Sequence, residues 1–164
     1  MKWTVLSDNR SNDCRLSTEH GLSIILQTER HVIAHIPQNH PTPKGNQNLY
    51  VQDAIGDYIH DDFRHELVLY IDGLLFTGCA HSGLENILAA CPWPIHTVIG
   101  GFHLLDGQET DDEIKALTQR LKVNYPKSQF YTSHCTGDNV FELMRDVMSE
   151  QLQPFSAGTT IALE

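Results

Sequence analysis

The chain has 164 residues, 40% of them hydrophobic and 20% charged, which is enough to bury roughly 70% of the unfolded surface in one ordinary domain spanning 1–164. Its formal charge of −10, from 11 basic and 21 acidic residues, repels a phosphate backbone, so nucleic acid is not an expected partner. No apolar run approaches the roughly 20 residues of a membrane span, and polar residues follow Met1 too soon for a signal-peptide core, so the expectation is a cytoplasmic protein without membrane association.

Lys2–Ser7 and Leu22–Gln27 read as strands separated by the polar loop Asp8–Ser17. His31–Ile36 adds a short strand that Pro37 ends. From about 37 to 57 the chain is rich in Pro, Asn, Gln and Gly, which predicts an irregular, mobile connection. Glu66–Ile71 and Leu74–Gly78 are β-rich runs on either side of Asp72-Gly73, a dipeptide suited to a two-residue hairpin turn. Ser82-Gly83-Leu84-Glu85 has the capping-box pattern and predicts a helix through Ala90, closed by Pro92. A strand over His96–Phe102 follows. Thr110-Asp111-Asp112-Glu113 is a second capping box, with Ile114, Leu117 and Leu121 at helical spacing behind it. Phe130–Ser133 reads as a strand, Asp138–Met148 as a helix with Val140, Leu143, Met144 and Val147 on one face, and Thr159–Leu163 as a last strand.

The second half thus repeats strand, loop and helix three times, which predicts parallel strands with their carboxyl ends at one edge, where sites in open α/β sheets gather. Ten histidines are more than average composition gives, and three of them occupy equivalent places in the three repeats. They are His81 in Thr77-Gly78-Cys79-Ala80-His81-Ser82-Gly83, His103 in Gly100-Gly101-Phe102-His103-Leu104, and His134 in Ser133-His134-Cys135-Thr136-Gly137. One histidine at a strand end is more often a turn or hydrogen-bonding residue than a ligand; three in register point to a shared site. Zinc accepts neutral imidazoles, and three protein ligands with one open position is the arrangement that activates water.

These segments, with Leu16-Ser17-Thr18-Glu19-His20-Gly21-Leu22-Ser23, together resemble the metallo-β-lactamase superfamily, in its branch of dihydropterin–ribofuranosylaminobenzene phosphate synthase-like metal-dependent hydrolases. The resemblance covers residues 1 to about 26 and about 58 to 164, and implies an α/β fold, a shortened αββα sandwich with a mixed sheet. It places His81 and His134 among the metal ligands and His103 close to them; the three-histidine reading itself expects one zinc ion, or none. It gives Asn9, Glu19 and His20 a substrate-binding role in the same cleft. The chain departs from the family in one large respect. The strand ending near Leu26 should lead through Asp-Thr-Gly into His-x-His-x-Asp-His, which supplies most of the ligands for two metals, and neither segment is present.

Other residues offer partial substitutes. His31 and His35 are four apart, roughly 13 Å in a strand and too far for one ion. His60-Asp61-Asp62-Phe63-Arg64-His65 mixes imidazoles and carboxylates but reads first as a solvated loop. Cys14, Cys79, Cys91 and Cys135 lack CxxC spacing and are expected as reduced thiols; Cys79 and Cys135 flank proposed ligands, which admits a cysteine–histidine hydrolase, although Cys135 should face away from His134. Two functions therefore stand. One is a metal-dependent hydrolase with a reduced site on His81, His103 and His134, of impaired or altered activity on a small-molecule substrate. The other is a non-catalytic small-molecule-binding or regulatory module on the same fold. Loss of an internal block should also bare apolar sheet surface, which predicts a homodimer.

Overall fold

The computed structural model describes residues 2–7, 23–25, 30–105 and 108–162, with 2–7, 23–25 and 162 given by backbone alone. Val68–Ile71 and Leu74–Phe76 pair antiparallel across Asp72 and Gly73, whose φ angles of 45° and 87° are the left-handed backbone that a two-residue hairpin turn requires. In chain order the strands are β1 (Lys2–Ser7), β2 (Ser23–Ile25), β3 (His31–Ile33), β4 (Tyr50–Gln52), β5 (Tyr58–His60), β6 (Val68–Ile71), β7 (Leu74–Phe76), β8 (Thr97–Ile99), β9 (Gln129–Thr132), β10 (Leu152–Pro154) and β11 (Thr160–Ala162). The α-helices are α1 (Leu84–Ala90), α2 (Asp111–Asn124) and α3 (Asp138–Met148).

A six-stranded sheet runs β10-β9-β8-β7-β6-β3, parallel from β7 to β10 and antiparallel at β6 and β3. This is the mixed sheet expected from the repeats. A three-stranded antiparallel sheet, β11-β1-β2, and the β4-β5 hairpin complete the strands. Alternation along the strands then dictates the layers. Leu75, Val98, Phe130 and Leu152 project to one face, where Ile87 and Leu88 of α1, Ile114 and Leu121 of α2, and Met144 and Met148 of α3 cover them. Leu74, Phe76 and Ile99 project to the other face, where Phe155 and Ile161 meet them, so β11 seats the small sheet against the large one. Among the described residues all three α-helices lie on the first face.

The capping box at Thr110 forms as expected: the Glu113 N–H donates to Thr110 Oγ1 at 3.3 Å and the Thr110 N–H to Glu113 Oε2 at 2.8 Å. The box expected at Ser82 does not form. The Ser82 N–H is taken by Glu66 and its carbonyl by Asn86 Nδ2, so α1 starts from Gly83 at φ 87° with no side-chain cap. The connection expected to be irregular carries a 3-10 turn at Lys44–Asn48 and the β4-β5 hairpin, closed by Asp53, whose carboxylate accepts from the N–H groups of Ile55 and Asp57. β10 was not expected at all, because three residues ending in a proline give little periodicity.

Leu75 is fully buried at the centre of the large sheet. Leu75→Ala is expected to lower the unfolding free energy by about 2–5 kcal/mol, and Thr110→Ala by about 1 kcal/mol, both read from urea denaturation curves.

Candidate functional site

β7, β8 and β9 end side by side, and the loops after them carry Cys79 with His81, His103, and His134 with Cys135. The loops touch because residues 100 and 101 have no side chains. A Cβ on Gly100 would lie 1.9 Å from Thr77 Oγ1 and 2.6 Å from the Thr77 carbonyl oxygen, and one on Gly101 would lie 1.7 Å from Cys135 Sγ. Hydrogen bonds from the Gly100 N–H to the Tyr131 carbonyl (3.1 Å) and from the Gly101 N–H to the Gly78 carbonyl (2.8 Å) tie the end of β8 to both neighbours.

His81 is fixed from several directions. The Glu66 carboxylate accepts from the His81 N–H (2.8 Å) and the Ser82 N–H (2.6 Å), which sets the turn into α1. Asn46 bridges the residue twice: its Nδ2 donates to the His81 carbonyl (2.8 Å) and its Oδ1 lies 3.0 Å from His81 Nδ1. Since the amide oxygen can only accept, His81 Nδ1 carries a proton and donates it to Asn46 Oδ1. The Phe63 ring stacks on the imidazole at 4.4 Å between centroids and 4° between planes. Phe63, Ala80 and His103, all beside this ring, adopt φ of 53°, 62° and 49°. For residues other than glycine such backbone costs on the order of 1–3 kcal/mol each and persists where the surroundings over-determine it.

His103 packs against His81 with ring centroids 4.0 Å apart and planes tilted by 51°. Cys79, half-buried, hydrogen-bonds to the thiol of Cys135 and to His81; these contacts, helped by the nearby charges of His81 and His103, outweigh its burial and pull the thiol down to about 4. His134 is placed elsewhere. It begins the 3-10 turn His134–Thr136 and lines a groove with Asp138, Phe141, Glu142 and Phe155, while Cys135 faces Gly101 and Cys79. The expectation that Cys135 points away from His134 agrees with this. Thr136 supports the turn from inside, with its Oγ1 accepting from the Phe102 N–H (3.1 Å) and lying 2.5 Å from Thr132 Oγ1.

A zinc held by these residues would require a wider spacing of the rings. Two imidazoles on one tetrahedral zinc, with Zn–N of about 2.0–2.1 Å, hold their ring centres about 5 Å apart, whereas His81 and His103 are 4.0 Å apart. Among the described residues no group of three or more His, Cys, Asp and Glu is placed to hold a metal ion. The three histidines expected to share one zinc therefore do not fit it in this arrangement.

The remaining candidates separate. His31 stacks on Trp93 at 4.7 Å, and His35 lies beyond β3. In the 60–65 run, Asp61 and Asp62 accept from the N–H groups of Phe63 and Arg64, as in a solvated loop, with His60 stacked on Tyr50. Asn9, Glu19 and His20 lie outside the described residues. Sequence reasoning missed Asn46, Glu66 and Phe63; the first sits in a stretch without periodicity, the second reads as the start of a strand, and the third as an apolar residue inside the 60–65 run, where only the imidazoles and carboxylates drew notice.

A cavity of about 320 Å³ lies beside this edge, walled by Leu84, Phe102, Leu104, Ile114 and Leu117. At its mouth Lys44 Nζ pairs with Glu113 at 2.6 Å and the Arg120 guanidinium with both oxygens of Glu85 at 2.8 Å, while the Glu109 carboxylate accepts from the backbone N–H of Lys44 at 2.7 Å. None of the three histidines lines it.

Compared with solved structures, the chain matches Tm1679, a metal-dependent hydrolase of the β-lactamase superfamily, with a TM-score of 0.84 over 99% of each chain at 16% identity. The chain has the β-lactamase-superfamily fold. The recognition drawn from the sequence motifs is borne out at that level. Among curated sequences it is 26% identical over 110 residues to a 7,8-dihydropterin-6-methyl-4-(β-D-ribofuranosyl)-aminobenzene-5′-phosphate synthase of Methanocaldococcus jannaschii, which fits the branch. It is 33% identical over 87 residues to the uncharacterized protein MJ0448 of the same organism. The matches cover 64% and 50% of this chain but 36% and 31% of those proteins, so the chain spans about a third of the length of the curated relatives it matches. No protein-family profile matches the chain. No described helix is long and apolar enough to cross a membrane.

The lowered thiol of Cys79 has a pH signature. Its folded value lies below the ordinary thiol value, so its contribution to stability is full above about pH 9 and is lost as pH falls toward 4. Stability followed across that window should rise with pH more steeply in the native chain than in Cys79→Ser. Equal slopes would mean that Cys79 is not a thiolate in the folded protein. Separately, Gly101→Ala is expected to displace Cys135 and destabilise the chain by about 1–3 kcal/mol, checked by thermal and urea unfolding.

Proposed function

We propose that this chain is a small-molecule-binding module on the β-lactamase-superfamily fold, taking an uncharged, largely apolar ligand in the cavity beside the histidine edge. The observation that carries this reading is the cavity itself, whose apolar wall is enclosed by side chains from α1, α2 and the loop after β8. Its volume of about 320 Å³ falls at the lower end of the range of roughly 300–1,000 Å³ typical of ligand pockets, which are mostly apolar with a few polar groups. Lys44 and Arg120 already pair with Glu113 and Glu85, so neither cation at the mouth is held open for an anionic ligand, and the wall itself is apolar. On this reading His81, pinned by Asn46, Glu66 and Phe63, acts as a rigid support for the neighbouring loop, and hydrolysis by the edge is impaired.

The likeness to Tm1679 favours a second reading, a metal-dependent hydrolase with a reduced site that closes around one divalent cation when it is supplied. The two separate by experiment. Nile red, a neutral apolar dye, should bind the full chain saturably with one site per chain, and Leu117→Trp, which fills the cavity, should weaken that binding at least tenfold without altering the circular dichroism. Unchanged binding in the variant would remove the cavity reading. Esterase or phosphodiesterase turnover that depends on added zinc and disappears in His81→Ala would establish the second reading instead.

A further inference from the structure

Two thiols from different loops meet beneath the histidines. Cys79 follows β7, Cys135 follows β9, and 55 residues and two helices separate them in sequence, yet the side chains are in hydrogen-bonding contact. The geometry around Gly101 supports the approach independently. The position its Cβ would take is 1.7 Å from Cys135 Sγ, 3.4 Å from Cys135 Cβ and 3.6 Å from the Cα of Cys79, so both cysteines crowd onto one glycine. Cysteines can be bridged only when their Cα atoms lie within about 7 Å and their side chains converge. Cys135 enters from the 3-10 turn, whose Cys135 carbonyl accepts from the N–H groups of Leu104 (2.9 Å) and Leu105 (3.0 Å), so its sulfur is held over Gly101. The two differ in access: Cys79 is half-buried and Cys135 buried.

We propose that Cys79 and Cys135 form a reversible disulfide by exchange with a low-molecular-weight disulfide of the glutathione type, Cys79 attacking first and Cys135 resolving the mixed disulfide. In the first step the Cys79 sulfur attacks one sulfur of oxidised glutathione, forming a mixed disulfide and releasing one glutathione thiolate. In the second the Cys135 thiol gives its proton to solvent or a neighbouring imidazole and attacks Cys79 Sγ, releasing the second glutathione. Two protein thiols are oxidised and one glutathione disulfide is reduced to two thiols. The product joins the loop after β7 to the loop after β9 and withdraws Cys79 from its hydrogen bond with His81. This inference is independent of the ligand reading above, because neither cysteine lines the cavity.

The test uses the full chain, reduced and then exposed to oxidised glutathione. Of the four thiols, two should be lost together to a thiol-titrating reagent, and peptide mapping should recover a Cys79–Cys135 cross-linked pair that dithiothreitol releases. Cys135→Ser should stop at the mixed disulfide, with one glutathione retained on Cys79. Cys79→Ser should leave Cys135 unmodified, since burial shields it, and the oxidised native chain should melt at a higher temperature than the reduced one. Native chain that accumulates glutathione on Cys79 while Cys135 remains a free thiol would overturn the proposal, as would a cross-link from either cysteine to Cys14 or Cys91.

Discussion

The structure depends on a close approach that only glycine permits. At the end of β8 the backbone runs between the loops of β7 and β9, with Thr77 against Gly100 and the Cys135 sulfur against Gly101, at separations that leave no room for a Cβ. Hydrogen bonds from these two glycines to Tyr131 and Gly78 hold the three parallel strand ends together. The juxtaposition of His81 with His103, and of Cys79 with Cys135, follows from that seam. With a side chain at either position the loops would separate, and the edge would become three unrelated turns.

The same seam sends the histidines in different directions. Gly101 draws Cys135 inward, and because successive residues of the 3-10 turn point in different directions, His134 is directed into the groove beside Asp138 and Phe155. His81 turns toward Phe63 and Asn46. What the fold delivers to the edge is therefore a pair of imidazoles in contact, a pair of thiols in contact, and a third imidazole that lines the groove beside Asp138 and Phe155. The scaffold follows Tm1679 along nearly its whole length at 16% identity, so the architecture is maintained by the pattern of burial more than by particular residues. The chemistry at the edge is set by a handful of contacts that the architecture does not dictate.

Much of this architecture was legible in the residues. Strands β1, β6 and β7, helix α3 and the capping box of α2 were readable because each carries its own local signal: alternation, the Asp72-Gly73 turn, the apolar stripe Val140, Leu143, Met144 and Val147, and the reciprocal pattern of Thr110 and Glu113. The parallel order followed from the repeated units. The Ser82 box failed because a distant carboxylate, Glu66, competes for the same N–H, and no local pattern announces that competition. The β4-β5 hairpin and Asn46 were hidden in a stretch whose composition suggests a loop. At the site, the histidines were legible as residues near one edge, but which way each ring points depends on neighbours up to 35 positions away, as Asn46 is from His81.

On the proposed reading these imidazoles support the edge separately and do not form one metal centre. Zinc titration of the full native chain, with elemental analysis after gel filtration, tests it most directly. The chain should retain substoichiometric zinc, and His81→Ala and His134→Ala should retain the same amount as the native chain. One zinc per chain, lost in both variants, would contradict this reading and would return His81 and His134 to a common ion.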